Sequence, residues 1–266
     1  SNGNGGGSRS GGGSSANGNS RGTSVEEPRS KKRQRTNEAA AAKLTEACQR
    51  LQFGQMGQDE RAAVLKVLLE MMLNKNGGID HTQYIIHSGT YRTLLQMLKY
   101  AEKYENLVKL GLLRALHQMI INMPHNFVEE TRRLLLSAHW SVLLALCNDP
   151  HENIRLEAVG IVGDVGISLE NNCKQAVLDS GAVRLLVEAY YVGRNGYEDE
   201  LGPTLEKHYA LGLWKLASNS TPQQFPFFLP ALELLRDWML SEGRPAVVDT
   251  CVNATLAATF LISQGR

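Results

Sequence analysis

The sequence predicts an all-helical solenoid of about four stacked repeats, preceded by a basic tail. Three observations carry this expectation. Apolar residues come in pairs three to four apart, with no alternating strand pattern. Gly and Pro breakers recur roughly every 20 to 25 residues, the spacing of helix pairs and triplets. A ten-residue segment also occurs twice, at matching offsets.

The tail comes first. Residues 1–22 are almost wholly Gly, Ser, Asn and Arg, and Val25 is the sole aliphatic residue larger than Ala in the first 43. Such a segment buries too little apolar surface to offset the entropy of ordering it, so residues 1–36 are expected to be disordered. Order is expected from Asn37, which can cap a helix running through Ala39–Ala42 to about Gln52. Asp59 is the expected N-cap of a second helix. Its broad apolar face carries Ala62, Val64, Leu65, Leu68, Leu69, Met72 and Leu73, and it stops at Asn76-Gly77-Gly78. These two helices form a pair ahead of the repeats, and the helical domain is assigned to residues 37–266.

The repeat is the most specific feature. Residues 83–92 read QYIIHSGTYR and residues 175–184 read QAVLDSGAVR. Gln83 matches Gln175, Ser88 matches Ser180, Gly89 matches Gly181, and Arg92 matches Arg184. A third copy, SAHWSVLL at 137–144, is weaker, and a fourth runs from Pro230 into Leu234-Leu235. The turn positions Gly89, Ala138, Gly181 and Pro230 are spaced by 49, 43 and 49 residues, within the range of HEAT and armadillo repeats. Each unit reads as a short helix ending at Ser-Gly, an amphipathic helix with a Leu pair, and a third helix. The third helices are expected at Leu107–Ile120, Asn153–Val165, Leu205–Ala217 and Val247–Ile262.

The clearest unit, residues 151–192 (HENIRLEAVGIVGDVGISLENNCKQAVLDSGAVRLLVEAYYV), resembles the armadillo family, as does YALGLWKLASN at 209–219. The resemblance covers roughly residues 60–262. It implies a right-handed superhelical solenoid that binds peptides and proteins in a groove lined by the third helices. Adaptors of the importin-α type carry an Asn near the end of each third helix. Here Gln118, Asp164 and Lys215 stand at that position, with Asn253 near it in the fourth copy.

Composition narrows the function. Residues 1–36 carry seven basic and two acidic residues, a net charge of +5; the remainder carries 21 basic and 25 acidic residues, a net −4. An acidic body argues against nucleic-acid binding by the solenoid, which needs a clustered basic face. Cys48, Cys147, Cys173 and Cys251 show no metal-ligand spacing and read as buried reduced thiols. The seven histidines form no HExxH motif, and neither GxSxG nor a P-loop occurs. No catalytic, metal or cofactor site is therefore expected. No apolar run reaches the roughly 18 residues of a membrane span.

The leading expectation is a protein-interaction scaffold. Arg114, Gln118, Arg155, Asp164, His208 and Lys215, with Trp214 beside them, would bind an extended or helical partner segment of mixed charge. Lys31, Lys32, Arg33 and Arg35 form a basic cluster that an import receptor could bind, so the nucleus is the expected location, with the cytoplasm as the alternative. Two other readings remain open: a nuclear transport adaptor, and an RNA- or DNA-associated factor acting through the tail. The apolar helix Val247–Ile262 is expected to fold inward or to dock on a partner or a second copy.

Overall fold

The computed structural model describes residues 29–73, 81–122, 125–167, 171–194, 202–218 and 220–240. The expectations for residues 1–28, for the helix stop at Asn76-Gly77-Gly78 and for the helix at 247–262 lie outside the described residues.

The described residues form helices and turns. An opening pair, α1 (Arg29–Phe53) and α2 (Gln58–Leu73), precedes three triplets. The first is α3 (His81–His87), α4 (Thr90–Lys99) and α5 (Asn106–Asn122). The second is α6 (His125–Leu134), α7 (Trp140–Leu146) and α8 (Glu152–Gly166). The third is α9 (Asn171–Asp179), α10 (Ala182–Arg194) and α11 (Gly202–Ala217). A 3-10 segment, Pro222–Phe228, and α12 (Leu229–Leu240) begin another unit. The third helices pack in series, α2 on α5, α5 on α8 and α8 on α11. Their apolar faces make one continuous core, including Leu65, Leu68, Leu112, Leu116, Ile154, Val162 and Leu213. Each such side chain contributes about 1.5–3 kcal/mol on full burial, which no triplet could gather alone.

The two matched turns fold alike. Gly89 and Gly181 sit at φ 75° and 77°, the left-handed region that costs other residues steric strain. The serine before each Gly closes the preceding helix. Ser88 Oγ donates to Ile85 O at 3.0 Å and Ser180 Oγ donates to Val177 O at 2.6 Å. Ser180 also accepts from Trp140 Nε1 at 2.7 Å, tying two units together. In the next unit Gln224 buries its side chain and donates to Gln175 Oε1 at 3.0 Å, while its own Oε1 accepts the Thr221 N–H at 3.0 Å.

Three sequence expectations need correction. Helix α1 begins at Arg29, not at Asn37, so the backbone of the basic cluster is helical. Lys, Arg and Gln are good helix formers, and nothing between Arg29 and the Ala run interrupts propagation. Asp59 lies within the first turn of α2, where it favours the positive end of the helix dipole, and is not its cap. The third copy also lacks the glycine turn. Ala138 stands where the matched copies have Gly, and the chain instead passes through a π-helical segment, Leu135–His139, and turns into α7 at His139, with φ −133° and ψ 0°.

The ends of α8 and α11 meet two buried cations. Arg132 donates to Asp164 O through Nε at 3.2 Å and through a terminal nitrogen at 2.8 Å. Lys174, 1% exposed, donates to Gly166 O at 2.6 Å, to Ser218 O at 2.9 Å and to Leu216 O. These carbonyls end their helices without partners inside them, and a cation suits the negative end of the dipole. Burial, with the nearby Arg132 charge, pulls the Lys174 pKa down to about 7.

An alanine at Gly89 or Gly181 would meet no atom within 4 Å, so its whole cost is conformational. G89A and G181A are each expected to lower stability by about 1 kcal/mol in urea unfolding, without changing the helical content measured by circular dichroism.

Candidate functional site

Burial aligns the third helices residue by residue. Leu112, Leu113, Ala115, Leu116, Met119 and Ile120 of α5 are buried. The same pattern recurs in α8 from Ala158 to Gly166 and in α11 from Tyr209 to Ala217. Helix α2 follows with Val64, Leu65, Leu68 and Met72. The positions left facing away from this core fall at i, i+4, i+7, i+11 and i+14, one stripe along each helix. On α5 the stripe holds Leu107, Gly111, Arg114, Gln118 and Ile121. On α8 it holds Asn153, Glu157, Gly160, Asp164 and Ile167. His208, Leu211, Lys215 and Ser218 continue it on α11, and Asp59, Ala63, Lys66, Glu70 and Leu73 on α2.

Across α5, α8 and α11 the stripe is crossed by one chain of charges. Arg114 Nε donates to Glu157 Oε1 at 3.1 Å. His117 places Nδ1 3.0 Å from Glu157 Oε2 and Nε2 2.8 Å from Asp164 Oδ2. Lys215 Nζ lies 2.6 Å from Asp164 Oδ1. A neutral imidazole has one N–H; two carboxylate acceptors need two, so the geometry calls for imidazolium. Burial opposes that charge, but hydrogen bonds to Asp164 and Glu157, with their negative charge, outweigh it and raise the His117 pKa to about 9. Burial likewise works against both carboxylates. His117 with Arg114 on Glu157, and His117 with Lys215 on Asp164, hold both below their usual range.

Glycine makes the crossing possible. A Cβ on Gly160 would stand 2.6 Å from His117 Cε1, so the ring occupies the space a side chain would fill. A Cβ on Gly163 would meet the Gly212 backbone and the Lys215 stem, both at 3.2 Å. Close approach of α8 and α11 therefore rests on two facing glycines.

The structure sorts the expected site residues. Arg114, Gln118, Asp164, His208 and Lys215 share the stripe, and Arg114, Asp164 and Lys215 join the charge chain. Gln118 is half-buried and accepts from Asn122 Nδ2 at 3.2 Å. His208 is half-buried on α11. Trp214 lies beside the stripe and packs against the core. Arg155 is a correction: it is 5% exposed and donates to Asp149 O at 2.9 Å and Pro150 O at 3.1 Å. Its position lies two residues before Glu157, about 200° around the helix from the stripe, so its side chain turns inward to the Asp149–Pro150 turn and away from the stripe. His117 and Glu157 were missing from the expected set. Glu157 could have been found from the stripe spacing; His117 lies just beside the stripe and is recruited by carboxylates one repeat away. Among the described residues, no group of His, Cys, Asp and Glu is arranged to hold a metal ion.

No protein-family model and no curated protein sequence matches the chain. Among solved structures it is similar to a designed armadillo repeat protein in complex with the peptide (KR)4. The TM-score is 0.60 at 20% identity, and the match covers 85% of each chain. A computationally designed armadillo repeat protein for modular peptide recognition gives 0.60 at 19% identity over 86% of each chain. An engineered protein gives 0.55 at 17% identity over 91% of this chain and 94% of the other. The chain has an armadillo-like repeat fold.

Two cations give opposite pH dependences. The raised His117 pKa adds stability that is fully present below about pH 6.5 and lost as pH rises through about 9. The lowered Lys174 pKa imposes a cost below about pH 7 that is relieved as pH rises toward 10.5. In urea unfolding between pH 6.5 and 9, K174M is expected to lose stability with rising pH more steeply than wild type. H117Q is expected to show the reverse slope. Parallel slopes in all three proteins would contradict the assignment of these protons.

Proposed function

We propose that the chain is a protein-interaction scaffold that holds a segment of a partner protein along the third-helix stripe. The observation that carries this reading is the difference between the two ends of the stripe. Between α8 and α11, Asp164 and Lys215 are turned onto each other, and Asp164 also holds His117. On α2 and α5, Leu73 and Ile121 stand 56% and 55% exposed at equivalent positions, beside the exposed side chains of Lys66, Glu70 and Arg114. An apolar row next to a charged row suits a peptide that alternates in character. The likeness to designed proteins described as peptide binders agrees with this use. Gln118, Asp164 and Lys215 in place of an Asn row speak against a transport adaptor of the importin-α type.

The location proposed with this role is the nucleus, supported by the basic cluster at Lys31, Lys32, Arg33 and Arg35. A fluorescent fusion should lose nuclear accumulation when all four become Gln; unchanged accumulation removes the proposal.

The groove itself is tested with peptides selected from a displayed random library on the full chain. Binding of the selected peptides is expected to fall about tenfold in L73A/I121A by fluorescence anisotropy and to stay unchanged in R184Q, which alters an exposed residue of α10. Peptides equally insensitive to both variants would place the site elsewhere.

A further inference from the structure

We infer that the partner segment presents a carboxylate side chain to Arg114, completing a charge network that on its own holds three cations and two carboxylates. This rests on the groove reading above and names the partner's chemistry.

The count comes from geometry. Arg114, His117 and Lys215 face Glu157 and Asp164, and no other acid is within ion-pair distance of these three cations among the described residues. His117 spends both ring nitrogens on the two carboxylates, so its positive charge is already engaged. Lys215 is similarly turned to Asp164. The uncompensated charge is therefore accessible at Arg114, whose side chain is 44% exposed against 13–22% for the other four groups. Its Nε serves Glu157, and a guanidinium has five donors in a planar fork suited to a second carboxylate.

The neighbouring rung agrees. Lys66 occupies on α2 the stripe position that Arg114 occupies on α5, one interhelical spacing away (about 8–10 Å). Glu70 lies four residues after Lys66 on the same helix, so α2 adds no net charge there, and Asp59 sits at the far end of the stripe in the first turn. The excess positive charge of the network is thus not cancelled from the α2 side. Ile121, two turns beyond Arg114 along the stripe, offers an apolar contact. The occupant is accordingly a protein segment with an Asp or Glu close to an aliphatic side chain. Its charge is opposite to that of the (KR)4 peptide held by the designed neighbour.

The test uses the full chain and two labelled peptides, one of Glu-Leu-Ser repeats and one of Lys-Leu-Ser repeats, followed by fluorescence anisotropy at low salt. The acidic peptide is expected to bind about tenfold more tightly than the basic one and to weaken as salt is added. R114Q should remove that preference, and E157Q, which leaves the network with one carboxylate, should enlarge it. Thermal melts of both variants establish that they are folded. No detectable binding of the acidic peptide, equal or tighter binding of the basic one, or an acid preference unchanged in R114Q overturns the inference. A basic preference, with binding that weakens in L73A/I121A, leaves the groove standing and removes only its acidic partner. Binding that ignores both Arg114 and Ile121 removes the groove as well.

Discussion

Helix α8 has another third helix on each flank, and water reaches little of it. Much of the molecule follows from that one constraint. A helix enclosed on two sides must satisfy its polar groups within the protein, because an unpaired buried polar group costs about 1–3 kcal/mol. Its last carbonyls are met by Arg132 and Lys174. Its two half-buried carboxylates, Glu157 and Asp164, are met by cations from both neighbours. Its glycines let those neighbours come close enough to reach. Removing one member of such a set leaves its partner charged and enclosed, which is more costly than never having built the pair.

The two central cations are treated differently. His117 faces carboxylates, whose full charges outweigh the burial of its ring. Lys174 faces only carbonyl dipoles, with Arg132 close by, and burial prevails. Both bridge elements from successive units, so each couples a proton to the stacking of the repeats. The sign of the coupling is decided by whether the acceptor carries a charge.

Much of the fold could be read from the chain. Gly89 and Gly181 announced their turns because a left-handed residue leaves few alternatives, and α5, α8 and α11 lie within a few residues of their expected spans. The shared position of Gln118, Asp164 and Lys215 was also legible, because aligning the repeat copies on the armadillo-like pattern puts the three residues in register. What escaped depended on three-dimensional context. Arg155 looks like a groove donor because it is charged and lies in a third helix, yet its side of the helix is internal and one of its terminal nitrogens is held by the Asp149 and Pro150 carbonyls. His117 gains its role from acids 40 and 47 residues away, which no local pattern reports. The early start of α1 reflects propagation from the Ala run, a cooperative effect that composition alone understates.

The π segment at Leu135–His139 has a mechanical consequence. In the units that contain Gly89 and Gly181, first and second helices meet at a soft joint, where small backbone rotations can alter the pitch. The middle unit has no such glycine: the π turn gives way to α7 at His139, whose φ of −133° and ψ of 0° leave the helical region without entering the left-handed one. An ordinary side chain is therefore accommodated at this corner, and the middle unit changes direction without the steric cost that suits the outer corners to glycine.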